Sequence, residues 1–184
     1  MTKLDYFNEC LSGGYNNTPD YISWKIVNRV LYLQCSREKE DWLKNIDIRP
    51  VDAWIGRNPC LVPNGFDDAV SGIMPAFDAL DIDIIVGYSH GAAIAALLSG
   101  MSGLPALAFA CPKFIFRPDE YHQKQFYNLQ IFNNKGDLVS MLPPFYSYCG
   151  HVNVLKEKAV KEGTWWEWYS RHSPNRYRQN LEGV

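Results

Sequence analysis

The sequence predicts an α/β fold in which a mostly parallel central sheet carries helices on both faces, within a single domain spanning residues 1–184. Two observations carry this. The first is the run Ile82 to Val86, rich in β-branched side chains and apolar on both faces, as a strand buried in the middle of a sheet should be. It passes through Gly87-Tyr88-Ser89-His90-Gly91 into Ala92-Ala93-Ile94-Ala95-Ala96-Leu97-Leu98, a strong helix former. The second is recurrence: further short apolar runs at 107–109 and 126–132 alternate with helical stretches, and such alternation argues for parallel strands joined by crossovers.

In chain order, Leu4, Phe7, Cys10 and Leu11 have helical spacing, and Gly13-Gly14 stops them. Asn16 to Asp20 marks a loop. Trp24 to Gln34 reads as one first strand, Glu38 to Ile46 as a short helix or helical loop, and Val51 to Ile55 as a strand closed by Gly56 and the Asn58-Pro59 turn. From Gly65 to Leu80 the residues Phe66, Val70, Ile73, Met74, Phe77 and Leu80 share one helical face. Gly100 is expected to end the helix that opens after Ser89. Pro174 suits the first turn of a final helix.

Composition excludes several functions. With 47% hydrophobic and 21% charged residues, the chain can bury a core without disulfides. A formal net charge of -2 and a pI near 6.1 give no footprint for nucleic acid. Five scattered cysteines without a Cys-x-x-Cys pair read as reduced thiols, so no metal and no cofactor are expected. Asp5 and Glu9 interrupt the start, and no apolar run reaches membrane-spanning length; the expectation is a cytoplasmic protein.

The chemistry concentrates at Ser89. Gly-x-Ser-x-Gly alone is a short pattern, but here a strand precedes it and a helix follows. A nucleophilic serine must project its hydroxyl off the sheet edge, which a sharp strand-to-helix turn achieves. Gly87 and Gly91 fit this need, because the two backbones nearly touch on either side of the serine. The helix start also offers N–H groups and a positive dipole end to a developing oxyanion.

Around this turn the sequence resembles the class 3 (fungal lipase-like) branch of the α/β-hydrolases, in pieces from about Val30 to the C-terminus. Leu33-Gln34-Cys35-Ser36 with Asp41-Trp42 is similar to the family's Phe-Arg-Gly-Ser/Thr stretch and its downstream Asp/Asn-Trp. Asn64-Gly65-Phe66, Phe109-Ala110-Cys111-Pro112-Lys113 and Asn134-Lys135-Gly136-Asp137-Leu138-Val139 followed by Leu142-Pro143-Pro144 match further family segments. His172-Ser173 with Tyr177 and Leu181 matches the terminal one. Cys35 stands where the family has glycine, Gln34 where it has arginine, and Pro63 where it has histidine.

The resemblance implies a serine hydrolase cleaving lipid or small acyl esters. Within the chain order serine, acid, histidine, the resemblance implies Asp137 as the triad acid, with Asp119 the runner-up. His90 adjoins the serine and His122 precedes the acid, which leaves His151 and His172; the resemblance implies His172 as the base, with His151 its alternative. The oxyanion hole would combine the backbone N–H groups of His90 and Ser36. Residues 38–48 lie where related enzymes carry a lid, and their shortness implies an open, esterase-like site. Trp165 to Tyr169 is expected to pack beneath the loop bearing His172, and Arg171, Arg176 and Arg178 to form a solvated face. Two other readings stay open: acyl transfer or thioester cleavage on the same triad, and a binding protein that keeps the fold without catalysis.

Overall fold

The computed structural model describes residues 1–17, 22–35, 47–156 and 170–184. Among these residues the main sheet has seven strands. In chain order these are β1 (Asn16–Asn17), β2 (Ile22–Val27), β3 (Val30–Cys35), β6 (Ile84–Tyr88), β7 (Ala106–Phe109), β9 (Leu129–Asn134) and β11 (His151–Leu155), and this is also their spatial order. From β3 to β11 every pairing is parallel; β1 and β2 add antiparallel at one edge. A second, antiparallel sheet joins β4 (Pro50–Ile55), β5 (Asn58–Pro63), β8 (Ile115–Phe116) and β10 (Tyr146–Ser147). The helices are α1 (Lys3–Leu11), α2 (Asn64–Ala79), α3 (His90–Ser102), α4 (Glu120–Gln125) and α5 (Pro174–Leu181).

Period-two alternation along the central strands divides the core into two layers. Val30, Tyr32, Val86, Leu107, Phe109 and Phe132 face one way, onto Phe7 and Cys10 of α1 and Tyr177 and Leu181 of α5. Leu31, Leu33, Ile85, Ala106, Ala108 and Ile131 face the other way, onto α2 and α3. Both faces of β3, β6 and β7 are therefore largely buried, which is why these strands read as near-continuous apolar runs. Helix α3 is buried from His90 to Gly100, and its alanines let it sit close against the sheet. Each fully buried Phe or Leu in these layers contributes about 2–3 kcal/mol.

The structure differs from the sequence expectations at several places. The stretch from Trp24 to Gln34 is not one strand but a hairpin, β2 and β3, turned by Asn28 and Arg29 at φ 51° and 62°. Asn58-Pro59 does not close a strand; the chain turns at Gly56-Arg57, with Gly56 at φ 63°, and Asn58 opens β5. Gly100 lies inside α3, not at its end, and a Cβ there would lie 2.5 Å from the Phe126 ring. The helix stops at Gly103, which adopts the left-handed conformation at φ 76°. Strand β9 begins at Leu129, three residues later than expected. The remaining expected elements are present: α1, β4, α2, β6, β7 and α5, the last with Ser173 as N-cap and Pro174 in its first turn. The expected helix over 38–46, Ser36, and Trp165 to Tyr169 lie outside the described residues. Among the described residues no helix is long and apolar enough to cross a membrane.

Candidate active site

Strand β6 ends at Tyr88 and α3 begins at His90, so Ser89 alone makes the turn between them. It does so at φ 57° and ψ -125°, a conformation that a residue with a Cβ holds only when its surroundings force it. Its N–H donates to the Phe109 carbonyl on β7 at 2.9 Å, and its own carbonyl accepts from Ala92 N–H at 2.9 Å. The strained turn is thus fastened to the neighbouring strand and to the first turn of α3.

Both flanking glycines are sterically required. A Cβ on Gly87 would lie 2.2 Å from the Gly91 carbonyl oxygen, and a Cβ on Gly91 would lie 2.4 Å from the Leu33 carbonyl oxygen. Strand, turn and helix meet backbone to backbone, and no side chain can yield to make room.

The Ser89 hydroxyl meets His172 Nε2 at 2.9 Å, and His172 Nδ1 meets Asp137 Oδ2 at 2.9 Å. His172 lies two residues before Pro174 of α5, and Asp137 lies three residues after β9 in a tight turn with Gly136 at φ 76°. The Asp137 carboxylate is wholly buried, yet each oxygen has donors. Oδ1 accepts from Val139 N–H at 2.9 Å, and Oδ2 accepts from the Tyr177 hydroxyl at 2.7 Å as well as from His172. Tyr177 accepts in turn from Asn134 N–H at 3.0 Å, so its own proton points to the carboxylate. Burial, and next the charge of Asp137, push the Tyr177 hydroxyl well above its ordinary pKa and keep it a donor. Because a carboxylate only accepts, Nδ1 carries the imidazole proton and Nε2 is left to accept from the serine.

The loop carrying His172 is held on both sides. Asn134 Nδ2 donates to the Arg171 carbonyl at 2.7 Å, and the Tyr88 hydroxyl donates to the His172 carbonyl. The Tyr88 and His172 rings also stack, with centroids 5.6 Å apart and planes 21° apart.

The other candidates stand elsewhere. His151 opens the edge strand β11, opposite Gln130, and is exposed. Asp119 caps α4, accepting from His122 N–H at 3.0 Å and meeting His122 Nδ1 at 2.6 Å. The His90 ring is buried 5.3 Å from that of Phe66, and desolvation lowers its pKa to about 4, so it is neutral near pH 7. Its backbone lies at the first position of α3, beside Ser89. Gln34 turns its amide to the Cys10 carbonyl at the end of α1. Tyr88 had no assigned role in the sequence reading; its place between the motif glycine and serine was the available signal.

No known family model matches the sequence, and no curated protein matches it. Among solved structures the chain is similar to Lip2 lipase from Yarrowia lipolytica, with a TM-score of 0.57 at 18% identity over 73% of this chain and 62% of that one. It is also similar to a mutant form of MDLA from Penicillium cyclopium (TM-score 0.53, 23% identity, 81% of this chain and 63% of that one). A third similar structure is the mono- and diacylglycerol lipase from Aspergillus oryzae (TM-score 0.52, 22% identity, 78% and 59%). The chain spans about three-fifths of the length of these proteins. The architecture shared with them is the α/β-hydrolase fold of the fungal lipases.

Proposed function

We propose that this chain hydrolyses carboxylic esters, of lipids or small acyl groups, through a covalent acyl-enzyme on Ser89. The hydrogen-bonded line from Ser89 through His172 to Asp137 carries the proposal, with 2.9 Å at each step. His172 Nε2 takes the hydroxyl proton as Oγ attacks the ester carbonyl carbon. The tetrahedral oxyanion forms beside the N-terminus of α3, where the His90 N–H and the helix dipole favour negative charge. Ser36, outside the described residues, is the proposed source of the second donor. As the C–O bond breaks, the imidazolium returns its proton to the leaving alkoxide. Water, deprotonated by the same imidazole, then attacks the acyl-enzyme; the acyl–Oγ bond breaks, the imidazolium returns its proton to the Ser89 oxygen, and the acid is released.

The lipase fold supports ester substrates, and one similar structure is named for mono- and diacylglycerols. The test is hydrolysis of a short p-nitrophenyl ester, with fluorophosphonate labelling followed by peptide mapping. Label on Ser89 is expected, together with a fall in kcat of about 10⁴-fold or more for Ser89→Ala. Turnover undiminished in that variant overturns the assignment.

A further inference from the structure

We propose that Tyr88, the residue between the motif glycine and Ser89, is a positioning residue for His172, fixing it through backbone and ring together. This rests on the hydrolase reading of the same site and adds a second function to the nucleophile turn. Three observations carry it.

First, the Tyr88 hydroxyl donates to the main-chain carbonyl of His172, the residue whose ring must face Ser89. With Asn134 holding the Arg171 carbonyl at 2.7 Å, two successive carbonyls of the loop are tied to the ends of β6 and β9. These ties lie where the chain enters α5, and Ser173 caps that helix by accepting from Arg176 N–H. The imidazole is therefore located relative to the sheet and not only relative to its own helix.

Second, the Tyr88 ring lies almost parallel to the imidazole, at 5.6 Å and 21°. A stacked ring limits rotation of His172 about its side-chain bonds, which two hydrogen bonds along a single axis through Nδ1 and Nε2 leave less restrained. It also offers an electron-rich face at the separation over which rings attract cations, and the imidazole becomes a cation on taking the serine proton.

Third, Tyr88 is itself immobilised. The Phe7 ring of α1 meets it edge-on at 5.6 Å and 73°, and the Tyr177 ring of α5 at 6.2 Å and 78°. Its backbone pairs with Phe109 on β7. Since Tyr88 and Ser89 are consecutive, any shift of the strand end carries nucleophile and base-holder together, and their mutual geometry is preserved.

The experiment compares Tyr88→Phe and Tyr88→Leu with the unaltered protein, measuring ester turnover and the rate of fluorophosphonate labelling at Ser89. Thermal melts establish that each variant is folded. Tyr88→Phe keeps the ring and loses the hydroxyl; kcat and labelling rate are expected to fall about fivefold, the equivalent of one net hydrogen bond. Tyr88→Leu loses both, and a fall of about thirtyfold or more is expected, with KM within about twofold in either variant. Partial rescue by phenylalanine at unchanged KM separates positioning from general damage. Folded variants that label and turn over at the unaltered rate, or that lose activity through KM alone, overturn the role of Tyr88 while the hydrolase reading stands. If Tyr88→Leu does not fold, the phenylalanine variant decides by the same criteria. If the unaltered protein is neither labelled nor active, both readings fall.

Discussion

Tyr177 and His172 donate to the same oxygen of Asp137, Oδ2, at 2.7 and 2.9 Å. The carboxylate is fully buried, so protein donors must take the place of water at its oxygens. Tyr177 makes that possible from inside the core, where its hydroxyl also accepts from Asn134 N–H. Tyr177→Phe removes the donor and leaves the buried Asn134 N–H without its acceptor. A loss of about 1–3 kcal/mol of folding stability is expected from urea denaturation. Turnover should fall by roughly tenfold because the carboxylate is freed to rotate away from Nδ1. A variant as stable and as active as the parent would show that the tyrosine merely fills space.

Gly87 in the nucleophile turn and Gly103 at the end of α3 predict a contrast within one protein. At Gly87 an added methyl meets backbone at 2.2 Å, whereas at Gly103, with φ at 76°, nothing lies within 4 Å. Gly103→Ala has only the left-handed conformation to overcome, a cost of about 1 kcal/mol. Gly87→Ala must push α3 off the sheet, and a loss of about 3 kcal/mol or more, or failure to fold, is expected. Equal midpoints for the two variants in denaturant would refute the close-approach argument.

The cysteines bear on how the protein should be handled and probed. Cys10, Cys60, Cys111 and Cys149 are all buried free thiols. Burial pushes Cys10 and Cys149 up to about 12 and Cys60 to about 11, and it raises Cys111 well above the ordinary value. The thiolate is the reacting form, so these four should resist iodoacetamide at pH 8 until denaturant is added. Mass spectrometry of the native protein checks this; rapid alkylation at any of the four contradicts its burial.

How much of this was legible in the sequence follows from the range of the interactions involved. Ser89 was legible because strand, two glycines and helix are contiguous, so the whole turn lies within a few residues. Asp137 and His172 are 35 residues apart, and their pairing needed the resemblance to become visible. The β2–β3 hairpin was not legible, since Asn28-Arg29 lacks the glycine that usually marks such a turn. Strand β5 carries Pro59 and Pro63, which argue against a strand, and it forms because β4 and β8 pair with it. Gly100 looked like a helix stop because nothing local reveals that Phe126 needs its missing Cβ. The work of Tyr88 and Tyr177 was hidden for the same reason: each acts on a residue far away in the chain.

His90 predicts how stability should depend on pH. Its ring is buried, and desolvation lowers its pKa from 6.5 to about 4. The folded value lies below the unfolded one, so between them the unfolded chain binds a proton that the folded chain refuses. Stability from this group is therefore complete above about pH 6.5 and declines as pH falls toward 4, by about 3 kcal/mol at the limit. Carboxylates held low act further down: Asp47, at about 2 beside Arg49, loses its contribution only as pH falls below its ordinary value of 3.8. Urea midpoints measured between pH 7 and 4.5, set against those of His90→Leu, therefore report on the histidine. They should drop across that window in the parent protein and drop less in His90→Leu, which has no proton to exchange there. Parallel curves for the two would mean that the buried imidazole is protonated in the fold after all, and that α3 begins beside a positive charge in place of a neutral ring.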